Sequence, residues 1–113
     1  RFSIQSQFRF ANAIKAFRSR VKGISVTFQL DGSKLKGEVV DVGERGFGAI
    51  LSEPIIPGTK LNSEVTTSLG VVSAVGLIRY CNSNPNGTYR AGVELVDMGR
   101  LDKPRWLRYV SEL

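Results

Sequence analysis

Two short stretches of this 113-residue sequence carry side chains suited to holding an anionic ligand. The first contains Arg18, Arg20 and Lys22, and it lies within the first 30 residues, which hold six basic residues and no acidic one. From Asp31 onward ten basic residues balance ten acidic residues, so the net charge of +6 resides in the N-terminal segment. This asymmetry predicts an anionic partner, such as phosphate groups, nucleic acid or an acidic membrane surface. A solvated basic arm is the alternative interpretation.

The second stretch is a polar turn between two apolar segments, and its sequence from Gly37 to Leu51 is GEVVDVGERGFGAIL. Valines lead into Asp41 and an apolar run resumes at Phe47, so the pattern predicts a strand, a tight turn and a strand. Gly43 and Gly46 lie in the turn, where glycine permits positive φ and close approach of another group. A turn this polar suits a ligand or a partner. A plain hairpin turn, in which Asp41 bonds to nearby backbone N–H groups, explains the same residues.

The composition argues against most catalytic and metal chemistry. The sequence has no histidine and a single cysteine, Cys81. The commonest general base is therefore absent, together with any Ser–His or Cys–His pair. One thiol without histidine cannot build a metal site or an intramolecular disulfide. We therefore expect a protein that is not an enzyme, has no metal or cofactor, and resides in a reducing compartment, most simply the cytoplasm.

Strands are the elements that must position the two stretches. Residues 24–30 alternate apolar with polar side chains, and further strands are predicted at residues 35–41, 47–52, 61–67, 70–80 and 89–96. Gly76 is a candidate bulge in the fifth of these strands. Helical spacing over residues 11–20 predicts a short helix or an irregular turn that Gly23 ends.

The C-terminal residues change to a helical pattern. Asp102 is a candidate N-cap and Pro104 lies in the first turn. Four apolar residues are predicted to share one helical face: Trp106, Leu107, Val110 and Leu113. Six strands and one amphipathic helix predict an all-β-dominated fold, a small six-stranded antiparallel β-barrel with a C-terminal α-helix and a basic N-terminal arm. No apolar run approaches the roughly 20 residues that cross a bilayer, so no transmembrane segment is expected in this chain.

The order and spacing of several motifs resemble the PilZ domain family. The turn from Asp41 to Gly46 resembles the Asp-x-Ser-x-x-Gly signature of that family. Three later segments resemble its following turn and strands, namely IPGT at residues 56–59, VGLIRY at 75–80 and YRAGVEL at 89–95. The resemblance covers residues 18–113 and implies a split β-barrel domain over that range, with an arm or linker at residues 1–17.

PilZ domains commonly bind cyclic di-GMP, a bacterial second messenger, between an Arg-x-x-x-Arg element and the Asp-x-Ser-x-x-Gly turn. The resemblance therefore implies six ligand-binding residues: Arg18, Arg20, Lys22, Asp41, Gly43 and Gly46. The guanidinium fork matches phosphate oxygens and guanine O6 and N7, while a carboxylate accepts hydrogen bonds from guanine N–H groups. The resemblance also implies a signalling role in the bacterial cytoplasm, with a protein partner or a covalently linked domain.

Both motifs depart from the family pattern. Gly43 stands at the serine position, and the lost hydrogen bond is worth about 0.5–1.5 kcal/mol. The first motif needs two arginines four positions apart. If Arg20 is the second arginine, the first position is occupied by Ala16. If Arg18 is the first, the second position is occupied by Lys22, which lacks the bidentate fork. These degenerate motifs leave two functions open. One is a cyclic di-GMP receptor module whose partner-binding surface changes on binding, and the other is an adaptor that acts by protein–protein interaction without nucleotide.

Binding of RNA or DNA through the N-terminal arm is a third hypothesis. The charges of the predicted barrel balance, since residues 31–113 hold ten basic and ten acidic residues. Polymeric nucleic acid requires a positively charged surface. A nucleic acid polymer is therefore not the expected partner.

Overall fold

In a computed structural model, the chain forms a closed six-stranded antiparallel β-barrel followed by one α-helix. The structure describes residues 18–113, and the predicted arm at residues 1–17 lies outside them. The elements are β1 (Ser19–Leu30), β2 (Ser33–Gly43), β3 (Gly46–Leu51), β4 (Lys60–Thr67), β5 (Gly70–Ser83), β6 (Tyr89–Met98) and α1 (Asp102–Ser111). Around the barrel the order is β1-β2-β3-β6-β5-β4, and β4 pairs with β1 to close it. The predicted fold is confirmed. The β5–β6 register does shift between Val75 and Gly76, but the extra residue is Val96 of β6, so the bulge predicted at Gly76 lies on the strand opposite.

Side chains at alternate strand positions fill the barrel interior, as expected for strands with one face inward. Val26 and Phe28 of β1 are fully buried, which confirms the apolar face predicted for this strand. Phe28 stacks on Phe47, and Phe47 lies against Trp106 of α1, with ring centroids 6.3 Å apart at each step. The helix therefore contributes to the barrel core. Burial raises the pKa of its Tyr109 phenol above the ordinary value.

The first strand begins before the predicted residue 24. Ser19 and Arg20 are already in β1, so the predicted helix or irregular turn over residues 11–20 is wrong for these two residues. Arg20 pairs with Asp41 and Ile24 with Val39, so three residues of β1 oppose one residue of β2. Gly23 lies in this bulge with φ of +75°, a conformation that favours glycine. Gly23 thus shapes a bulge instead of ending a helix, and the register places the basic segment beside Asp41.

The start of α1 differs from the prediction, because Asp102 is not its N-cap. The cap residue is Leu101, which makes no side-chain capping hydrogen bond. Asp102 is the first helical residue, and its Oδ1 accepts a hydrogen bond from the backbone N–H of Ser73 in β5, at 3.0 Å. The carboxylate therefore fastens the helix to the barrel.

The buried face of α1 also differs from the predicted one. Trp106 is fully buried as expected, but Tyr109 is the other buried residue of the helix, and Val110 is half-buried. Leu107 and Leu113, predicted to share the inner face, are exposed. Residues three positions apart lie on one side of a helix, so the position of Trp106 against the barrel selects Tyr109 over Leu107.

Candidate functional site

The carboxylate of Asp41, near the end of β2, joins two parts of the chain that are distant in sequence. Arg18 Nη1 donates to Asp41 Oδ1 at 2.8 Å across 23 residues, and Arg90 Nη2 of β6 donates to Oδ2 across 49 residues. The Asp41 side chain is 15% exposed, while Arg18 is 38% and Arg90 36% exposed. Two guanidiniums on one carboxylate give this Asp41 cluster of three residues a net charge of +1. Charge-assisted hydrogen bonds of this kind are among the stronger ones in proteins.

Two of the three predicted basic residues lie beside Asp41. Arg18 contacts it directly, and Arg20 is its neighbour in the β1–β2 register. Lys22 lies in the β1 bulge, and both Arg20 and Lys22 are exposed. Neither of them forms an ion pair with a residue in the range 18–113. Ala16, the upstream position of the other register, lies outside the described residues.

The turn that follows Asp41 is held by backbone contacts. Gly43 pairs with Gly46, so two exposed residues form the turn between them. Neither glycine has a positive φ, so that predicted reason for glycine is wrong here. The other predicted reason, close approach, is confirmed at Gly46, because a Cβ there would overlap the carbonyl oxygen of Val93. The carbonyl oxygen of Gly43 accepts a hydrogen bond from Trp106 Nε1 at 3.0 Å, which links the turn to α1.

Two further glycines lie beside Asp41 and form a shelf without side chains. The strand registers align Asp41 with Gly48, Gly48 with Gly92, and Gly92 with Tyr80. A Cβ on Gly48 would lie 2.8 Å from Arg90 Nη2 and 3.0 Å from each carboxylate oxygen of Asp41. A Cβ on Gly92 would overlap the ring of Tyr80. The guanidinium of Arg90 and the ring of Tyr80 therefore cover this glycine shelf of Gly48 and Gly92.

The Asp41 cluster and Tyr80 carry side chains of the types that can contact a nucleotide. Tyr80 is an exposed aromatic residue, and aromatic rings stack on bases irrespective of sequence. Arg18 and Arg90 carry forked donors for phosphate, and Asp41 is an acceptor for base N–H groups. The site thus combines stacking, positive charge and one carboxylate on the outer surface of the barrel.

Sequence reasoning missed Arg90, Gly48 and Tyr80. In β6 the residues Ala91 and Val93 are buried, so the alternation of the strand signals that Arg90 and Gly92 face outward. That signal does not say which strand lies alongside. Pairing of β3 with β6, which brings Arg90 next to the Asp41 turn, is a long-range contact that the local pattern does not encode.

A separate concavity of about 640 Å³ lies on the outer surface across β1, β4 and β5. It is lined mostly by polar residues, including Thr27, Asn62, Glu64, Ser73 and Asp97, and by no member of the Asp41 cluster. No group of three or more acidic, cysteine or histidine residues within the range 18–113 is arranged to hold a metal ion. In the same range, no helix has the length and apolar character that crossing a membrane requires.

Several solved structures share this fold, among them two of YcgR and one of MotI. The isolated PilZ domain of YcgR from Escherichia coli, solved with c-di-GMP, superposes with a TM-score of 0.71 at 16% identity over 86% of this chain and 88% of that chain. YcgR from Escherichia coli in complex with c-di-GMP gives 0.69 at 20% identity over 85% of this chain and 43% of that chain. The Bacillus subtilis inhibitor of motility, MotI, gives 0.72 at 13% identity over 84% of this chain and 48% of that chain.

These similarities establish the fold, a β-barrel like that of the PilZ domain of YcgR. The chain spans less than half the length of the YcgR and MotI chains, whereas it spans most of the isolated PilZ domain. No protein-family model and no curated protein matches the sequence.

Proposed function

We propose that this domain is a cyclic di-GMP-binding regulatory module of a bacterial cytoplasmic protein. The contact between Arg18 and Asp41 is the observation that carries this proposal. It brings the two predicted halves of the ligand site, the basic segment and the Asp41–Gly46 turn, within 2.8 Å across 23 residues. The fold shared with a PilZ domain solved with c-di-GMP supports the same function.

The proposed mechanism is competition for Arg18. Arg18 immediately precedes β1, so its side chain links the N-terminal basic segment to the barrel. A phosphate that takes over donors of Arg18 exchanges its contact with Asp41 for a contact with the ligand. The ligand shifts this equilibrium by the difference between its affinities for the two arrangements. The new arginine–phosphate contacts at Arg18 would then change the surface offered to a partner.

Isothermal titration calorimetry with cyclic di-GMP tests the proposal. Arg20→Ala removes a cation next to Asp41, and Lys36→Ala is the matched control because Lys36 is an exposed cation on the same strand as Asp41 but far from it. Arg20→Ala is expected to weaken binding about 10- to 100-fold, as the loss of a charge-assisted hydrogen bond predicts, whereas Lys36→Ala leaves the affinity close to wild type. Absence of wild-type binding at ~100 μM, far above the affinity of a useful receptor, would contradict the proposal.

One observation favours the adaptor as a second candidate function. Both carboxylate oxygens of Asp41 already accept hydrogen bonds from arginines of the chain itself, so the cluster is satisfied without a ligand. Ile56 and Leu101 are large apolar residues exposed elsewhere on the surface, where a partner could contact them. A domain that shows no heat with cyclic di-GMP, and that retains one purified partner equally with and without nucleotide, would be the adaptor.

A further inference from the structure

Arg90 lies in β6, outside both segments that the sequence assigns to the ligand site, yet its guanidinium reaches Asp41. We infer that Arg90 is a ligand-binding residue that contacts a phosphodiester oxygen of the nucleotide beside Arg18. This inference rests on the proposed function and adds a residue and a contact to it.

The barrel positions the Arg90 guanidinium through the glycine shelf. Arg90 pairs with Ile50, and the next outward position of β3 toward Asp41 is Gly48. The Arg90 side chain therefore extends along the barrel surface from the level of Ile50, its own pairing partner, to the level of Gly48, the partner of Asp41. That path is open because Gly48 has no Cβ, which would lie 2.8 Å from Arg90 Nη2. Asp41 then holds Nη2, so the guanidinium is in place before any ligand arrives, which lowers the entropic cost of binding.

Arg90 retains donors that the protein does not use. A guanidinium has five N–H donors, and Asp41 is the side-chain acceptor that Arg90 contacts within residues 18–113. The Nε atom of Arg90 is buried and has no hydrogen-bond partner among the described residues. A buried donor of a charged group without an acceptor is costly. A small rotation toward an incoming phosphate would give Nε and an Nη group two acceptors in the bidentate geometry that arginine prefers.

Charge and spacing favour a phosphodiester as that acceptor. Arg18 and Arg90 bind opposite oxygens of the same carboxylate, so their guanidiniums lie on two sides of Asp41. The cluster keeps a net charge of +1, which attracts an anion. Lys22 cannot supply a second fork, since an ammonium is a point charge. Arg90 therefore adds, from β6, a fork that reaches the same carboxylate as Arg18.

Calorimetry of cyclic di-GMP binding to the full chain, with Arg90→Ala and Arg90→Lys at two salt concentrations, tests the inference. Arg79→Ala is the matched control. Arg79 is an exposed arginine on the adjacent strand β5, and it forms an ion pair with Glu94 at 3.3 Å. Arg90→Ala is expected to lose about 10- to 100-fold in affinity and to reduce the salt dependence of binding. Arg90→Lys is expected to fall between wild type and alanine, since lysine keeps the charge without the fork. Arg79→Ala is expected to bind within about twofold of wild type, as surface ion pairs contribute little.

Four other outcomes of this experiment would contradict either the role of Arg90 or the proposed function. Wild-type affinity and salt dependence in Arg90→Ala would refute the role of Arg90 while leaving the proposed function intact. Urea unfolding measures the fraction of Arg90→Ala that is folded in buffer. If a smaller folded fraction accounts for the whole loss of affinity, Arg90 has a structural role only. A loss with unchanged salt dependence, but weaker discrimination against cyclic di-AMP, would move the contact from phosphate to base. No binding by wild type refutes the proposed function, and this inference with it.

Discussion

At the residue scale, the candidate site depends on the absence of side chains at particular glycines as much as on charged groups. Gly48 leaves the space in which Asp41 and Arg90 meet, and Gly92 leaves the space for the ring of Tyr80. Gly46 serves a different purpose, since the backbone of Val93 occupies the space where its Cβ would be. What surrounds a missing Cβ therefore decides whether glycine supports the site or the fold.

Gly46→Ala and Gly48→Ala are expected to differ in stability. At Gly46 the new methyl group meets the carbonyl of Val93, and two paired strands must separate. Overpacking of this kind costs about 1–3 kcal/mol or more. At Gly48 the methyl group meets the ends of the Arg90 and Asp41 side chains, which can move aside. Moving aside weakens a charge-assisted hydrogen bond worth about 1.5–3 kcal/mol, and alanine restores about 0.5–1 kcal/mol relative to glycine, so the net loss is expected to be smaller than at Gly46.

Equilibrium urea unfolding followed by tryptophan fluorescence measures both variants, with Trp106 as the reporter. The free energy of unfolding should fall for Gly46→Ala while the urea dependence stays that of wild type. Equal losses in the two variants would show that the Arg90–Asp41 pair is as rigid as the backbone, contrary to this interpretation.

Part of the site was predictable from the sequence because the information is local. Asp41 and its turn stand between two recognisable strands, and Arg18 lies in the acid-free segment that precedes the first predicted strand. Arg90 was not predictable in this way. Its role depends on a β3–β6 pairing and on Gly48, which only the closed barrel brings together.

At the element scale, α1 acts on the site through the turn that follows Asp41. Its Trp106 lies against Phe47 in the core and donates to the carbonyl of Gly43 at the end of β2. The turn is held from the other side by the Leu95 N–H, which donates to the carbonyl oxygen of Arg45 at 2.7 Å. The helix is therefore connected to a turn 63 residues earlier by one hydrogen bond from a side chain to the backbone.

Trp106→Phe is expected to destabilise the domain and loosen the turn. Phenylalanine cannot donate to the buried carbonyl of Gly43, and an unsatisfied buried group costs about 1–3 kcal/mol. Native-state hydrogen exchange should show lower protection of the Leu95 amide, because the turn that accepts its hydrogen bond opens more often. Tyr109→Phe is the matched control on the same helix, since it leaves the bond to Gly43 intact. Equal protection of the Leu95 amide in both variants would contradict the proposed connection between helix and turn.

The errors in predicting α1 and β1 have the same physical cause. Asp102 has the residue type of an N-cap, but a backbone donor of Ser73 lies close enough to bind its carboxylate. The helical spacing before Gly23 is overridden at Ser19 and Arg20 by pairing with β2. In both places a tertiary contact outweighs a local preference of a few tenths to about 1 kcal/mol.

At the scale of the whole molecule, alternation and turn residues were enough to predict the architecture. Six apolar runs separated by glycine, proline and asparagine turns correspond to the six strands, and barrel closure satisfies both edges. The excess positive charge is confined to the first strand and the residues before it, because residues 31–113 hold ten basic and ten acidic residues. We therefore expect the apolar core of the barrel to set the stability, and the basic residues, of which Arg20 and Lys22 lie in β1, to contribute to anion binding.

A chain shortened to residues 18–113 is expected to fold cooperatively, with a urea midpoint close to that of the full chain. Every buried hydrophobic residue of the described range lies between Ile24 and Tyr109, and β4 pairs with β1 from Ser25 onward. Because Arg18 and Arg20 remain, the shortened chain should also retain binding of cyclic di-GMP, although removal of Arg1, Arg9 and Lys15 should reduce its salt dependence.

A second chain that starts at residue 25 is the matched comparison. It loses Arg18 and the Ser19–Val42 and Arg20–Asp41 pairs, so its midpoint should fall and its binding should be weaker. Loss of cooperative unfolding in the 18–113 chain would show instead that residues 1–17 belong to the folded domain.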